Sequence, residues 1–389
     1  MVDHLGLYLI LLAAIGLGFM LGRRERARRR VRRVSEFGRD YFQGINYLLD
    51  DRPDLAIDNF IEALPADDAS IDTHLTLGAV VRRRGELDKA IRIHQNLLAR
   101  PQISAENRAL AELELARDYL GAGLLDRAEQ LLRELVERGG ATDRVALEQL
   151  LEVYQRERDW ARAIEIATQI VRRGDRDNRI ALAHFHCELA EQLAEQGDID
   201  AARGHLKQAR QHDRSCPRIG LLLAEIELDD GRFEQARKEL HEVAKVAPGF
   251  VGETIELYRR ACAGLAEPDE LARYLQQNIA TQGDYRVAAA LAQQFEKRGE
   301  IERVEELLIV QLARHPSMAG LRGLLAFAVT RGNESSGRYA SVMLKFADDM
   351  LARQSTYRCG NCGFAGRRLI WQCPGCRKWG RFVYITDPS

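Results

Sequence analysis

Between residues 37 and 350 the apolar positions fall into pairs of helix-length segments, each pair divided by a Gly or Asp turn, and the arrangement then recurs. In one unit Leu77, Gly78 and Val81 precede the turn at Gly85, and Ala90 and Leu97 follow it. The same offsets return as Leu115, Ala116, Tyr119, Gly123, Ala128 and Leu135, then as Leu223, Ala224, Gly231, Ala236, Leu240 and Val243, and as Leu291, Ala292, Phe295, Gly299, Val304 and Leu308. A small residue before the turn and an alanine after it let two antiparallel helices touch where larger side chains would clash, so each unit is predicted to be a helical hairpin. Ala56, Ala90, Ala128, Ala163, Ala202, Ala236 and Ala272 are 34, 38, 35, 39, 34 and 36 residues apart, and Val304 and Gly337 continue the series. The pattern predicts an all-α solenoid of about nine units over residues 37–352, the last two degenerate, with a long surface open to a partner.

The first residues break the pattern. Leu5 to Leu21 is an uncharged run of 17 residues. As a helix it would be about 26 Å long, against a hydrocarbon core of roughly 30 Å. Asp3 and His4 precede it, and eight arginines with one glutamate follow between residues 22 and 33. A cleaved signal carries its positive charges ahead of the apolar run. The reverse order here predicts a single transmembrane anchor over residues 1–22 and a polybasic juxtamembrane segment over 23–36, with the N-terminus outside and the bulk of the chain cytoplasmic. Gly18 and Gly22 have the GxxxG spacing that lets membrane helices approach, and the arginines suit anionic headgroups rather than nucleic acid.

A net charge of −1 hides a strong segregation. Residues 22–33 carry +7 and residues 357–381 carry +6, and subtracting both leaves −14, nearly all of it between residues 34 and 356. Two basic ends flank an acidic middle, which favours a basic or mixed-charge partner segment.

Chemistry is concentrated in residues 353–389, where Cys359 and Cys362 form one CxxC and Cys373 and Cys376 form another after ten intervening residues. Two such pairs place four thiolates where two tight turns close a tetrahedral site around one metal ion, either iron or zinc. Disulfides would need an oxidising compartment, and a redox CxxC normally opens a helix after a strand, a context neither copy has. A segment this short buries too little to fold by itself, so the metal is expected to supply most of its stability. Gly363 is expected to turn the chain with positive φ, and Phe364, Trp371, Trp379 and Phe382 to form an apolar shell around the sulfurs. The sequence has no phosphate-binding glycine loop, zinc-protease motif or nucleophile elbow, and no catalytic group is predicted. His184 and His186 with Cys187 suggest a second metal site, but residues two apart on a helix point to different faces, so they are expected to be packing or surface residues, and Cys216 and Cys262 small buried hydrophobes.

The repeat spacing resembles the tetratricopeptide repeat. Together with the apolar N-terminal run, the polybasic stop and the terminal CGNCG and CPGC pairs, the chain resembles along essentially its whole length the lipopolysaccharide assembly protein B family, which has a rubredoxin-type metal domain. That resemblance implies a non-enzymatic adaptor of the Gram-negative inner membrane, regulating lipopolysaccharide synthesis. It further implies that the adaptor promotes proteolysis of the committed-step lipid A deacetylase by a membrane-anchored AAA+ metalloprotease, with other lipopolysaccharide synthesis or transport proteins as further partners. The metal ligands it implies are Cys359, Cys362, Cys373 and Cys376. Arg377 stands where the rubredoxin pattern commonly has glycine, and the gap between the pairs is short. A rubredoxin-like electron carrier and a general membrane-tethered scaffold are the alternative readings.

Overall fold

A computed structural model describes residues 71–386, apart from 102, 176–177, 280–282 and 332–333, together with Tyr47 and Leu55. The expected membrane anchor, the polybasic segment and the first repeat marker, Ala56, lie outside the described residues. Among the described residues no helix is long and apolar enough to cross a membrane.

Among the described residues the chain forms two compact units, divided between Glu157 and Arg158. In the first, α1 (Ile71–Arg83) pairs with α2 (Leu87–Leu98), α3 (Ala105–Gly121) pairs with α4 (Leu125–Arg138), and α5 (Asp143–Glu157) follows. The second opens with α6 (Trp160–Arg172). Its hairpins are α7 (Asn178–Glu195) with α8 (Ile199–His212), α9 (Pro217–Asp229) with α10 (Phe233–Val246), and α11 (Val251–Gly264) with α12 (Pro268–Asn278). Two more follow, α13 (Tyr285–Lys297) with α14 (Ile301–Arg314) and α15 (Met318–Arg331) with α16 (Glu334–Arg353).

The packing logic read from the repeat is visible in these hairpins. Ala90, Ala128, Ala163, Ala202, Ala236, Ala272 and Val304 are all buried. The hairpin turns share one backbone solution as well: Gly85, Gly123, Gly197, Gly231 and Gly299 all have positive φ. The residue after each donates its N–H to a carbonyl five residues back, as in Leu124 to Tyr119 and Arg232 to Glu227, which closes the helix C-terminus. Ala266 fills the same place between α11 and α12 at φ 55°, without glycine's freedom.

α7 departs from an ordinary amphipathic helix. Leu182, Ala183, His184, Phe185, His186 and Cys187 are buried in succession, so every face of that stretch is covered. Extra cover comes from the C-terminal module, whose Trp379 lies against His184 and Phe185. There β1 (Tyr357–Cys359) lies between β2 (Ala365–Gly366) and β3 (Phe382–Tyr384), antiparallel to both, with Cys359 opposite Phe382. At the other extreme, α16 leaves Tyr339, Val342, Met343 and Phe346 exposed along one face.

Candidate metal centre

Each CxxC folds as a tight knuckle, and the two are backbone copies of one another. Gly363 N–H donates to Cys359 O at 2.9 Å and Cys359 N–H to Phe364 O at 2.8 Å. The matching pairs in the second knuckle are Arg377 to Cys373 at 2.8 Å and Cys373 to Lys378 at 3.0 Å. The turn residue is left-handed in both, Gly363 at φ 79° and Arg377 at φ 58°, so the residue flagged as out of pattern occupies the strained position.

The knuckles bring all four sulfurs within 4.8 Å of one another, the Cys359 and Cys376 Sγ atoms 3.7 Å apart and those of Cys362 and Cys373 3.5 Å apart. Four thiolates at about 2.3 Å from a tetrahedral ion are about 3.8 Å apart, so the donors fit one such metal. A backbone hydrogen bond from Lys378, aided by the neighbouring sulfurs, draws Cys376 down to about 7. Cys362 receives the equivalent bond from Phe364, but desolvation and the other three sulfurs push it up to about 11. Four negative sulfurs held this close repel one another, and a cation between them removes that repulsion, which is the electrostatic case for a metal. Cys359 and Cys373 are buried, Cys376 is half-buried and Cys362 is exposed.

The apolar shell differs from the sequence expectation. Phe382 is buried in the module's own core with Tyr357, Cys359 and Cys373, but Phe364 is 42% exposed. Trp371 and Trp379 are absent from that core and face the helices. Trp379 stacks on His184 at 5.3 Å and meets Phe185 and Trp160 edge-on at 5.6 and 6.0 Å. Trp371 stacks on Phe250 at 5.9 Å, with the Arg218 guanidinium 5.7 Å above its ring. A module of this size is too small to bury two indoles, so they find cover on the solenoid.

A polar lock completes the docking. Tyr357 donates its hydroxyl to Glu253 at 2.7 Å and accepts from Arg286 at 2.8 Å, while Arg286 also bridges Glu253 at 2.6 Å and Asp284 at 2.8 Å. Its guanidinium lies 4.1 Å over the Tyr384 ring. Burial opposes the charge on Arg286, but Asp284 and Glu253 outweigh it and raise the pKa. The basic module thus meets acidic groups of the solenoid at Glu253. It does so through Tyr357, and the central cation belongs to the solenoid.

Of the other chemistry-bearing residues singled out in the sequence, His184 lies beneath this interface, against Trp379. His184 Nε2 lies 3.8 Å from Cys216 Sγ, and Cys187 is fully buried nearby. His186 Nδ1 is 3.0 Å from His205 Nδ1, and its ring stacks on His212. Cys262 is buried as expected. Among the described residues only the four knuckle cysteines form a group of three or more ligands close enough to share a metal. Sequence reasoning missed Glu253, Asp284 and Arg286; as ordinary charged residues in repeats they carry no local signal.

Residues 357–383 match the family described as the rubredoxin metal binding domain, and residues 193–252 match the tetratricopeptide repeat. A solved structure, the C-terminal part of a TPR repeat-containing protein from Cytophaga hutchinsonii, is 12% identical and covers 71% of this chain and 95% of its own, with a TM-score of 0.37. Lipopolysaccharide assembly protein B of Haemophilus influenzae is 31% identical over 98% of both chains. The Escherichia coli K12 protein of the same name is 34% identical over 96% of both. Identity sustained from end to end, with the repeat and the metal knuckle both in place, shows that the chain belongs to the lipopolysaccharide assembly protein B family.

Proposed function

We propose that the protein is a non-enzymatic adaptor of the inner membrane that limits lipid A synthesis by delivering the committed-step deacetylase to a membrane-anchored AAA+ metalloprotease. The observation that carries this reading is full-length similarity to relatives named for lipopolysaccharide assembly, on a scaffold of stacked helical hairpins. The apolar run Leu5–Leu21 would confine the protein to the membrane plane, raising its effective concentration near a membrane protease without any new contact. Cys359, Cys362, Cys373 and Cys376 would hold one zinc or iron ion in a structural role, because what the knuckles support is a docked surface. Other enzymes of lipopolysaccharide synthesis or transport are further candidate partners.

The test is the deacetylase half-life in cells with and without the gene. It is expected to lengthen on deletion and to be restored by the full chain but not by one lacking residues 1–21. An unchanged half-life on deletion overturns the reading. A reversible Fe(III)/Fe(II) couple whose function is lost on zinc substitution would favour the electron-carrier alternative.

A further inference from the structure

The metal module rests on residues near the N-terminal ends of α7, α9, α11 and α13, among them His184, Arg218, Glu253 and Arg286. Toward the C-terminal ends of α7, α9 and α11 there is a separate groove of about 350 Å³, within the range of roughly 300–1,000 Å³ for ordinary ligand sites. Leu206, Leu222 and Ile226 give it an apolar floor, and Glu191, Glu195, Glu225 and Asp229 stand along its walls with Arg260.

The wall charges are not balanced within the chain. Glu191 is met by Arg218 at 2.9 Å and Asp229 by Arg260 at 2.8 Å. Among the described residues neither Glu195 nor Glu225 has a hydrogen-bond or ion-pair partner, and both are exposed. Partial desolvation, then repulsion from Asp229 and Glu191, hold the Glu225 carboxyl above its usual range despite the pull of Arg260. An arriving cation relieves that repulsion and an apolar side chain covers the floor. An anionic occupant would worsen the repulsion, and a purely apolar one would desolvate the carboxylates without compensation.

We propose that this groove docks a basic amphipathic segment of a protein partner, its apolar side chains on Leu206, Leu222 and Ile226 and its Lys or Arg residues on Glu195 and Glu225. The proposal deepens the adaptor reading by naming the recognition chemistry. The mode is a peptide laid into a groove, with anchors at helical spacing and charges at the rim.

The experiment uses the full chain in neutral-lipid nanodiscs and a short fluorescent peptide of leucines and lysines at helical spacing, read by anisotropy against empty nanodiscs. The lysine peptide is expected to bind saturably and its glutamate counterpart not to bind. The exposed double substitution Glu195→Lys with Glu225→Lys is expected to weaken binding about tenfold, whereas Glu302→Lys with Glu305→Lys, an equal charge change on α14, shifts it by less than about twofold. Equal binding to both double variants, preference for the glutamate peptide, or displacement of the lysine peptide by self-association of the chain overturns the proposal. Deacetylase half-life is scored separately. Groove-dependent binding with a half-life unchanged by gene deletion sinks the adaptor reading and leaves the groove standing. Groove-independent binding with a half-life that does change sinks the groove alone.

Discussion

Trp379 holds the metal module on the solenoid, and its removal separates docking from metal binding. It is 6% exposed, stacked at 5.3 Å on His184 and set edge-on to Phe185 and Trp160. It does not belong to the module's own core of Tyr357, Cys359, Cys373 and Phe382, and it is not a sulfur donor. Trp379→Ala is expected to cost about 3–5 kcal/mol of buried aromatic contact, charged almost entirely to the interface. That shifts the balance of docked over released module by roughly 10²- to several times 10³-fold. Because Trp160, Trp371 and Trp379 are the chain's three tryptophans and all lie at this interface, emission reports docking directly. In the variant the remaining two should shift red, and amide exchange in residues 357–384 should rise while one metal per chain is retained. Unchanged emission from Trp160 and Trp371, with exchange as slow as in the parent, would refute the reasoning; so would loss of the metal, since it would make Trp379 part of the site.

Cys373→Ser removes a fully buried donor, and metal analysis is expected to fall well below one ion per chain, with residues 357–384 losing exchange protection; retention of both would show the knuckle closes without it. Arg377→Gly relieves a left-handed φ of 58° and should stabilise the knuckle by about 1 kcal/mol, seen as slower metal loss to a chelator; faster loss would contradict the strain assignment. Burial, then the charges of His205 and His212, lower His186 to about 4 from 6.5. Since the unfolded chain takes up that proton first, stability from this site is complete above pH 6.5 and is lost as pH falls toward 4, by at most roughly 3 kcal/mol. Denaturant midpoints at pH 7.5 and 5 should differ, and His186→Gln should narrow the gap; an unchanged gap would assign the acid sensitivity to other groups.

Much of this was legible because it is local. Hairpin packing needs a small residue at a fixed offset from a turn, so Ala128 or Ala236 announces its burial from position alone. A CxxC knuckle closes on hydrogen bonds spanning four or five residues, so its spacing already implies its shape. The turn at Ala266 was less legible, because no glycine marks its positive φ.

The sequence by itself therefore determined the helical repeat, the two knuckles and the charge segregation, each set by neighbours along the chain. Only the tertiary structure decided where the metal module sits and which residues hold it. Tyr357 finds Glu253 across 104 residues, and no periodicity encodes a meeting of that range. Nor could the sequence show that Trp371 and Trp379 serve the interface more than the sulfurs, since either role suits a buried indole. The acidic groove is likewise a tertiary product. Its carboxylates come from α7 and α9 and its floor partly from α8, and their unbalanced charge follows from which arginines the packed helices bring within reach.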